Sequence, residues 1–178
     1  MENIYFKGLD KALNDGCYII VFNSSFRCPV VRVEKKNRET GEVELVSYAE
    51  HFNAISALNT ASYKIVDELG DKKDNIDSSE STLIDRVLTS GYTLHFYKLS
   101  NGQVLSTICC HGCGLSRIPV KSIISDDVQT GFKLLNASLE YFVDNEQSHN
   151  FYNNFYAFVV QQTAPVKARL RSLIKDSK

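Results

Sequence analysis

Several features that would assign this chain to a broad class are missing from its sequence. No apolar stretch approaches the roughly 20 residues that a membrane-spanning helix needs, and the N-terminus lacks the charged-then-apolar layout of a secretory signal. The five cysteines are odd in number and include an adjacent pair, unlike the disulfide framework of a small secreted domain. We therefore expect a soluble, cytoplasmic protein with reduced thiols and no membrane partner.

Excess charge is also missing. The chain has 20 basic and 21 acidic residues, a formal net charge of −1 and a pI near 6.4. This balance excludes a chain-wide basic footprint for nucleic acid, although a local basic patch would not show in the total. Neither a Gly-x-Ser-x-Gly elbow nor a phosphate-binding glycine loop is present. We therefore expect no catalytic set and no cofactor.

The chain does contain an internal sequence repeat. The segment 9–16 is matched by the segment 84–91, about 75 residues further on, and an apolar strand-like run follows each copy. Within those runs Ile20 stands at the position of His95, which is the clear mismatch. The pattern predicts an internal duplication, and two copies can bury faces that neither would bury alone. The predicted divisions are a first unit 1–69, a linker 70–82, a second unit 83–145 and a C-terminal helical segment 146–178.

Each unit is predicted to contain a helix, three antiparallel strands and a second helix. Apolar runs at 17–23 and 29–33 predict a hairpin, and Asn101-Gly102 is a hairpin signal in the second unit. In the third strand of the first unit, alternation places Val43, Leu45 and Ser47 on one side. The predicted fold class is therefore α+β, with two helix–three strands–helix units and C-terminal helices.

This order of elements resembles the double-stranded-RNA-binding-domain-like fold in topology. Members of that family carry phosphate contacts on a lysine-rich entry to the last helix, and here the segment 53–57, Asn-Ala-Ile-Ser-Ala, stands at that place. Tandem units of this kind are also similar to single-strand-binding proteins of the Pur-alpha and Whirly type, whose fourth strand is not predicted here. The resemblance implies a topology and carries no binding residues over to this chain.

The segment from Cys109 to Gly114 is the candidate for metal or thiol chemistry. Cys110 and Cys113 form a Cys-x-x-Cys-Gly sequence at a predicted hairpin tip, which is the geometry of a zinc knuckle. Tetrahedral zinc needs four ligands, and the chain has no second Cys-x-x-Cys. These two cysteines are therefore weak metal candidates, and a redox pair or free cysteines in a tight turn remain the alternatives.

The densest aromatic segment lies outside both units. It is predicted to be a helix that either completes the core or docks onto a second copy or another protein. Pro165 is predicted to break or restart this helix, and a basic stripe follows. The candidate interface residues are Phe151, Tyr152, Phe155, Tyr156 and Phe158.

Three functions remain open on these grounds. The first is a non-catalytic interaction protein, a small inhibitor or adaptor that binds a protein partner or itself, as a homodimer, through its sheet and its aromatic helix. The second is a single-strand nucleic-acid-binding module that uses the sheet aromatics Tyr18, Phe22 and Tyr97. The third, a metal- or thiol-dependent enzyme, rests on the cysteine-rich turn alone. The candidate nucleic-acid contacts are Arg27, Arg32, Lys35, Lys36, Arg38, Lys167, Arg169 and Arg171.

Overall fold

The computed structural model of the chain describes residues 6–66, 80–112, 115–144 and 150–176. Cys113 and most of the predicted linker lie outside these residues. The elements in chain order are α1 (Lys7–Asn14), β1 (Cys17–Asn23), β2 (Pro29–Lys36), β3 (Val43–Glu50), α2 (Ala54–Ile65), α3 (Leu83–Thr89), β4 (Thr93–Lys98), β5 (Val104–Gly112), β6 (Leu115–Ser125), α4 (Val128–Ser138), a short 3-10 helix (Leu139–Phe142) and α5 (Asn150–Asp176).

The six strands form one antiparallel sheet in the order β3-β2-β1-β4-β5-β6. At its centre β1 pairs with β4 through three residue pairs, of which Ile20 with His95 is the middle one. The other pairings join strands that follow one another along the chain. The predicted α+β class and the antiparallel arrangement of the strands are confirmed.

The helices α1 to α4 pack against one face of this sheet and enclose a single core. Residues from both halves of the chain meet there: the ring of Phe6 lies edge-on to that of Phe132, with centroids 6.0 Å apart. Phe151 and Phe155 of α5 join the same cluster. Because apolar side chains from every helix share this cluster, the two halves of the chain are stabilised together.

Two aspartates bind helix termini in the opposite half of the chain. Asp85 of α3 accepts a 2.7 Å hydrogen bond from the backbone N–H of Ala54, the first residue of α2. Asp10 of α1 accepts a 2.9 Å hydrogen bond from the N–H of Val128, the first residue of α4. These N–H groups have no partner inside their own helices, so each carboxylate satisfies a donor that the fold buries in part.

Two expectations about individual elements are wrong. α5 runs through Pro165 without a break; the proline is exposed, so water can hydrate the carbonyl of Gln161 that loses its helical partner. In β3, a register shift opposite Val33 and Glu34 interrupts the alternation. Ser47 is therefore buried, whereas Val43 and Leu45 are exposed.

The half-buried carboxyl of Asp10 yields a pH-dependent prediction. Burial, opposed by the hydrogen bond from Val128, raises its pKa above the ordinary 3.8. The unfolded chain therefore loses this proton at a lower pH than the folded chain, and folding stability falls as the pH rises through that interval. We expect Asp10→Asn, which keeps an acceptor oxygen without charge, to melt at the same or a higher temperature at pH 7. Asp10→Ala should lose about 1 kcal/mol.

Thermal melts between pH 3 and pH 7 test this expectation. The advantage of Asp10→Asn over the natural chain should shrink as the pH falls. Asp15→Asn, at an exposed carboxylate just after α1, is the matched control and should show no such trend. A melting temperature for Asp10→Asn at pH 7 as low as that for Asp10→Ala would contradict the argument.

Candidate functional site

The face of the sheet opposite α1 to α4, termed here the open face, carries the candidate site. Strand alternation sends Ile19 and Val21 to the core and their neighbours Tyr18, Ile20 and Phe22 to the open face. The registers of β2 and β4 against β1 place further polar side chains beside these. They are Arg32 and Glu34 of β2 and Thr93, His95 and Tyr97 of β4.

A buried carboxylate organises one side of the open face. Glu34 accepts a 2.5 Å hydrogen bond from Oη of Tyr18 at one oxygen and a 2.6 Å bond from Nε of Arg32 at the other. Burial, and then the neighbouring Glu34, raises the pKa of Tyr18 to about 12. Tyr18 is therefore a neutral donor at physiological pH, and both oxygens of Glu34 are already engaged.

A buried histidine occupies the centre of the sheet. His95 has no exposed surface, and its Nε2 lies 2.7 Å from Oγ1 of Thr93. Its ring stacks with that of Tyr97, whose ring in turn stacks with that of Tyr18. Burial, with smaller effects of Arg117 and His111, lowers the pKa of His95 to about 4. The histidine is thus neutral, and because the unfolded ring protonates near pH 6.5, stability falls as the pH drops from there towards 4.

A cavity of about 420 Å³, termed the open-face cavity, opens above β1, β2 and β4. Its size falls within the range of small-molecule sites in proteins, which is roughly 300–1,000 Å³. Its lining combines apolar side chains with charged and hydrogen-bonding groups. The lining residues are Ile20, Phe22, Asn23, Arg32, Glu34, Leu88, Gly91, Tyr92, Thr93, His95, His111 and Arg117.

The hairpin of β5 and β6 forms one wall of this cavity. β4 begins at Thr93, opposite Cys109, so the last residues of β5 extend past its end. Register shifts on both sides of Cys110 mark irregularities of the kind that bend a strand. His111 and Arg117 of this hairpin consequently line the same cavity as side chains from β1 and β2.

Comparison of the chain with protein-family models, with curated proteins and with solved structures gives no significant match. Within the described ranges, no helix combines the length and the apolar character needed to cross a bilayer. The same ranges contain no group of three or more acidic, histidine or cysteine side chains placed to hold a metal ion. The chemistry of the site is therefore read from its own side chains.

The predicted aromatic interface is divided between core and surface. Phe151 and Phe155 are 1% and 2% exposed, and Phe158 packs partly against the core. Tyr152 and Tyr156, on the other side of the same helix, are 44% and 65% exposed. α5 therefore fills the core with its phenylalanines and presents its tyrosines to the surroundings.

The predicted basic contacts are divided among several parts of the fold, and three of them share one surface. Arg32 is the one member of the set that lines the open-face cavity. Arg27 lies in the turn between β1 and β2, and three side chains of α5 are exposed along that helix: Lys167, Arg169 and Arg171. The remaining three line a second cavity, of about 910 Å³, at the end of the β2–β3 hairpin: Lys35, Lys36 and Arg38.

Three cysteines of the described residues are poor nucleophiles. Burial raises the pKa of Cys17, Cys109 and Cys110, so each stays a thiol at neutral pH. Cys109 is buried and Cys110 is half-buried, and both are unbridged. These three thiols are therefore not activated for nucleophilic attack.

Sequence reasoning missed His95, Glu34 and Arg117 as members of the site. The sequence contained one signal for His95: it is the polar residue at the position where the other copy of the predicted repeat has the apolar Ile20. Arg117 had no signal, since its place depends on the bend of the β5–β6 hairpin. Glu34 gained its role only when the pairing of β1 with β2 brought Tyr18 to it, beside Arg32 of its own strand.

The two sides of α5 predict opposite effects for neighbouring substitutions. Phe155→Ala removes a ring that packs against Tyr92 and Phe142, and truncations of this kind cost roughly 3–5 kcal/mol. Tyr156→Ala changes an exposed side chain and should stay within about 0.5 kcal/mol. Urea unfolding of both variants measures the difference. Equal stabilities would contradict the assignment of Phe155 to the core.

Proposed function

We propose that this protein is a non-catalytic interaction protein, an inhibitor or adaptor, that binds an extended segment of a protein partner along the free edge of β3. The observation that carries the proposal is the composition of that edge: Val43, Leu45, Val46 and Tyr48 are each between 40% and 51% exposed. β3 pairs with β2 on one side and has no other described strand beside it. Exposed apolar edge strands of this kind accept an added strand.

Further apolar surface adjoins one end of this strand. Phe52 follows β3 and is 58% exposed, and Phe26, in the turn between β1 and β2, is 84% exposed. Oγ of Ser24 donates a 2.9 Å hydrogen bond to Glu50, so this turn lies against the end of β3. Together with the exposed residues of β3, the two phenylalanines form what we term the β3 edge surface. Contiguous apolar surface is typical of contact sites.

The charges on β3 favour a different protein over a second copy. The strand carries Glu44 and Glu50 and no basic residue. Two copies of the strand laid side by side would bring carboxylates together, which opposes pairing. Nζ of Lys64 donates to the carbonyl of Tyr48 at 2.5 Å and partly protects the edge. A segment with apolar and basic side chains fits this surface and would take the place of that lysine contact.

Photo-crosslinking in the host cell tests the proposal. A benzoylphenylalanine at Val46 should capture a defined partner protein, whereas the same group at Leu134, an equally exposed site on α4, should not. Leu45→Lys should reduce the product at Val46 about tenfold or more, because burying one leucine contributes about 1.5–3 kcal/mol. Identical products at both positions would refute the proposal, and a product made of two copies of this chain would show a homodimer instead.

A second candidate function, binding of single-stranded nucleic acid, is supported by one specific observation. The three sheet aromatics named from the sequence all lie on the open face, where Tyr18 and Tyr97 stack with centroids 6.4 Å apart. Arg32 and Arg117 line the cavity beside them. Bases stack on such platforms while arginines contact phosphates.

Binding of a fluorescent 12-nucleotide strand tests this second candidate. Two phosphate contacts predict a slope of about −1.4 in log affinity against log salt concentration. Tyr97→Ala should weaken binding by about 1–3 kcal/mol, whereas Tyr141→Ala, at an exposed tyrosine far along the chain, should not. Affinity that does not depend on salt, or that both variants reduce equally, would exclude the open face as a strand-binding platform.

We also propose that residues 9–69 and 83–145 are two copies of one unit with the predicted double-stranded-RNA-binding-domain-like order. The order helix, three strands, helix occurs twice among the described elements. Ile20 and His95, which are equivalent under the repeat, pair with each other at the centre of the sheet. Asp10 and Asp85, also equivalent, each bind the last helix of the other half. A two-fold relation between duplicated units produces this kind of reciprocity.

A further inference from the structure

The open-face cavity has an excess of positive charge. Its lining contains two arginines and one glutamate, and both oxygens of Glu34 are engaged by Tyr18 and Arg32. Arg117 forms no ion pair within the described part of the chain. The exposed guanidinium of Arg117 is therefore available to an anion that enters the cavity.

The backbone at Arg117 suggests that its side chain is needed. The residue has φ of +35°, in the region that favours glycine, and it lies at the register shift between β5 and β6. A non-glycine residue held in this region destabilises the folded state. Glycine would remove that cost at a bulge of this type. A residue that adds strain to the fold, and whose charge enters a cavity, is typical of a binding site.

The rest of the lining fits a flat body with hydrogen-bonding groups. Ile20 and Phe22 supply apolar surface on the sheet side of the cavity. Asn23 lines the same cavity, and its Oδ1 is buried without a hydrogen-bond partner among the described residues. A buried acceptor of this kind is satisfied by a donor such as an amino group. An inorganic anion would use the arginine and leave the apolar surface and the acceptor unmatched.

We propose that the open-face cavity binds a nucleoside monophosphate, with the phosphate at Arg117 and the base against Ile20 and Phe22. The ligand is either a free nucleotide or one nucleotide of a single strand, since both present the same base and phosphate. This proposal goes beyond the partner binding assigned to β3. The two surfaces are separate, so either proposal can fail while the other stands.

Calorimetric titration of the full chain with three probes tests the ligand class. AMP should bind in a one-to-one ratio. Adenosine, which lacks the phosphate, and ribose 5-phosphate, which lacks the base, should each bind at least tenfold more weakly. The absence of AMP binding at about 1 mM, which corresponds to about 4 kcal/mol of affinity, would overturn the proposal. Equal binding of AMP and ribose 5-phosphate would overturn the role of the apolar surface.

A pair of arginine variants tests the position of the phosphate. Arg117→Gly should keep or raise the melting temperature, because it relieves the strained backbone, yet it should weaken AMP binding at least tenfold. Arg27→Gly is the matched control: Arg27 also has a positive φ, of 61°, but it does not line the cavity. It should change the charge and the backbone strain in the same way and leave AMP binding intact. Equal losses in both variants, or none in Arg117→Gly, would refute the assignment.

A hexa-adenylate strand distinguishes the two sources of the ligand. Tighter binding of the strand than of AMP, with affinity that falls as salt rises, would identify the cavity as a subsite for single-stranded nucleic acid. AMP binding as tight as that of the strand would identify a free nucleotide as the ligand. Leu45→Lys in the β3 edge surface should leave both affinities unchanged. A change there would show that the cavity and the edge are not independent.

Discussion

The pairing of β1 with β4 is the interaction on which the rest of the structure depends. Three residue pairs join the strands β1 to β3 to the strands β4 to β6 and make one six-stranded sheet. Without them each half would be a three-stranded sheet of the size at which independent stability is marginal. The pairing also places His95 opposite Ile20 in the middle of the sheet. The central stack of the open face therefore arises from the same contact that unites the fold.

Because α1 to α4 pack on one face of the sheet, the polar side chains buried on the other face must be neutral or have hydrogen-bond partners. Its centre is buried deeply enough that His95 stays neutral and Glu34 needs two donors. A buried carboxylate without partners would be strongly unfavourable, so Tyr18 and Arg32 are structural requirements before they are binding groups. Arg117, on the β5–β6 hairpin, contributes a charge to the cavity without an ion pair in the described part of the chain. In the proposed nucleotide site, this division places the base over the neutralised sheet and the phosphate beside the hairpin.

Local pattern was enough to predict most of the secondary structure. Runs of β-branched residues, the turn glycines and the apolar periodicity of the helices depend on neighbours in sequence, and these signals survive in the folded chain. The glycines that follow α1 and α3, Gly16 and Gly91, have the positive φ that such helix ends favour. Features that depend on tertiary context were misread or missed. Pro165 is tolerated because it is exposed, and β3 loses its alternation because a bulge forms against β2.

The candidate site shows the same division. Tyr18, Phe22 and Tyr97 could be named as sheet aromatics because strand alternation is a local property. Their neighbours Glu34 and Arg117 could not be named, since no local signal indicates a hydrogen bond between two adjacent strands or the bend of a hairpin. The aromatic density of α5 was visible in the sequence, but density alone does not separate a buried face from an exposed one. The separation depends on how the helix is rotated against the core.

The reciprocal aspartate contacts also constrain how the chain emerges during synthesis. α2 is made before Asp85, so its first N–H lacks its partner until 31 further residues have been added. Asp10 is made near the start of translation, but its partner, the first N–H of α4, is made 118 residues later. Contacts between such distant positions slow folding because a long loop must close before they form. The first half of the nascent chain therefore stays incomplete, with part of its apolar surface uncovered, until most of the second half has been made.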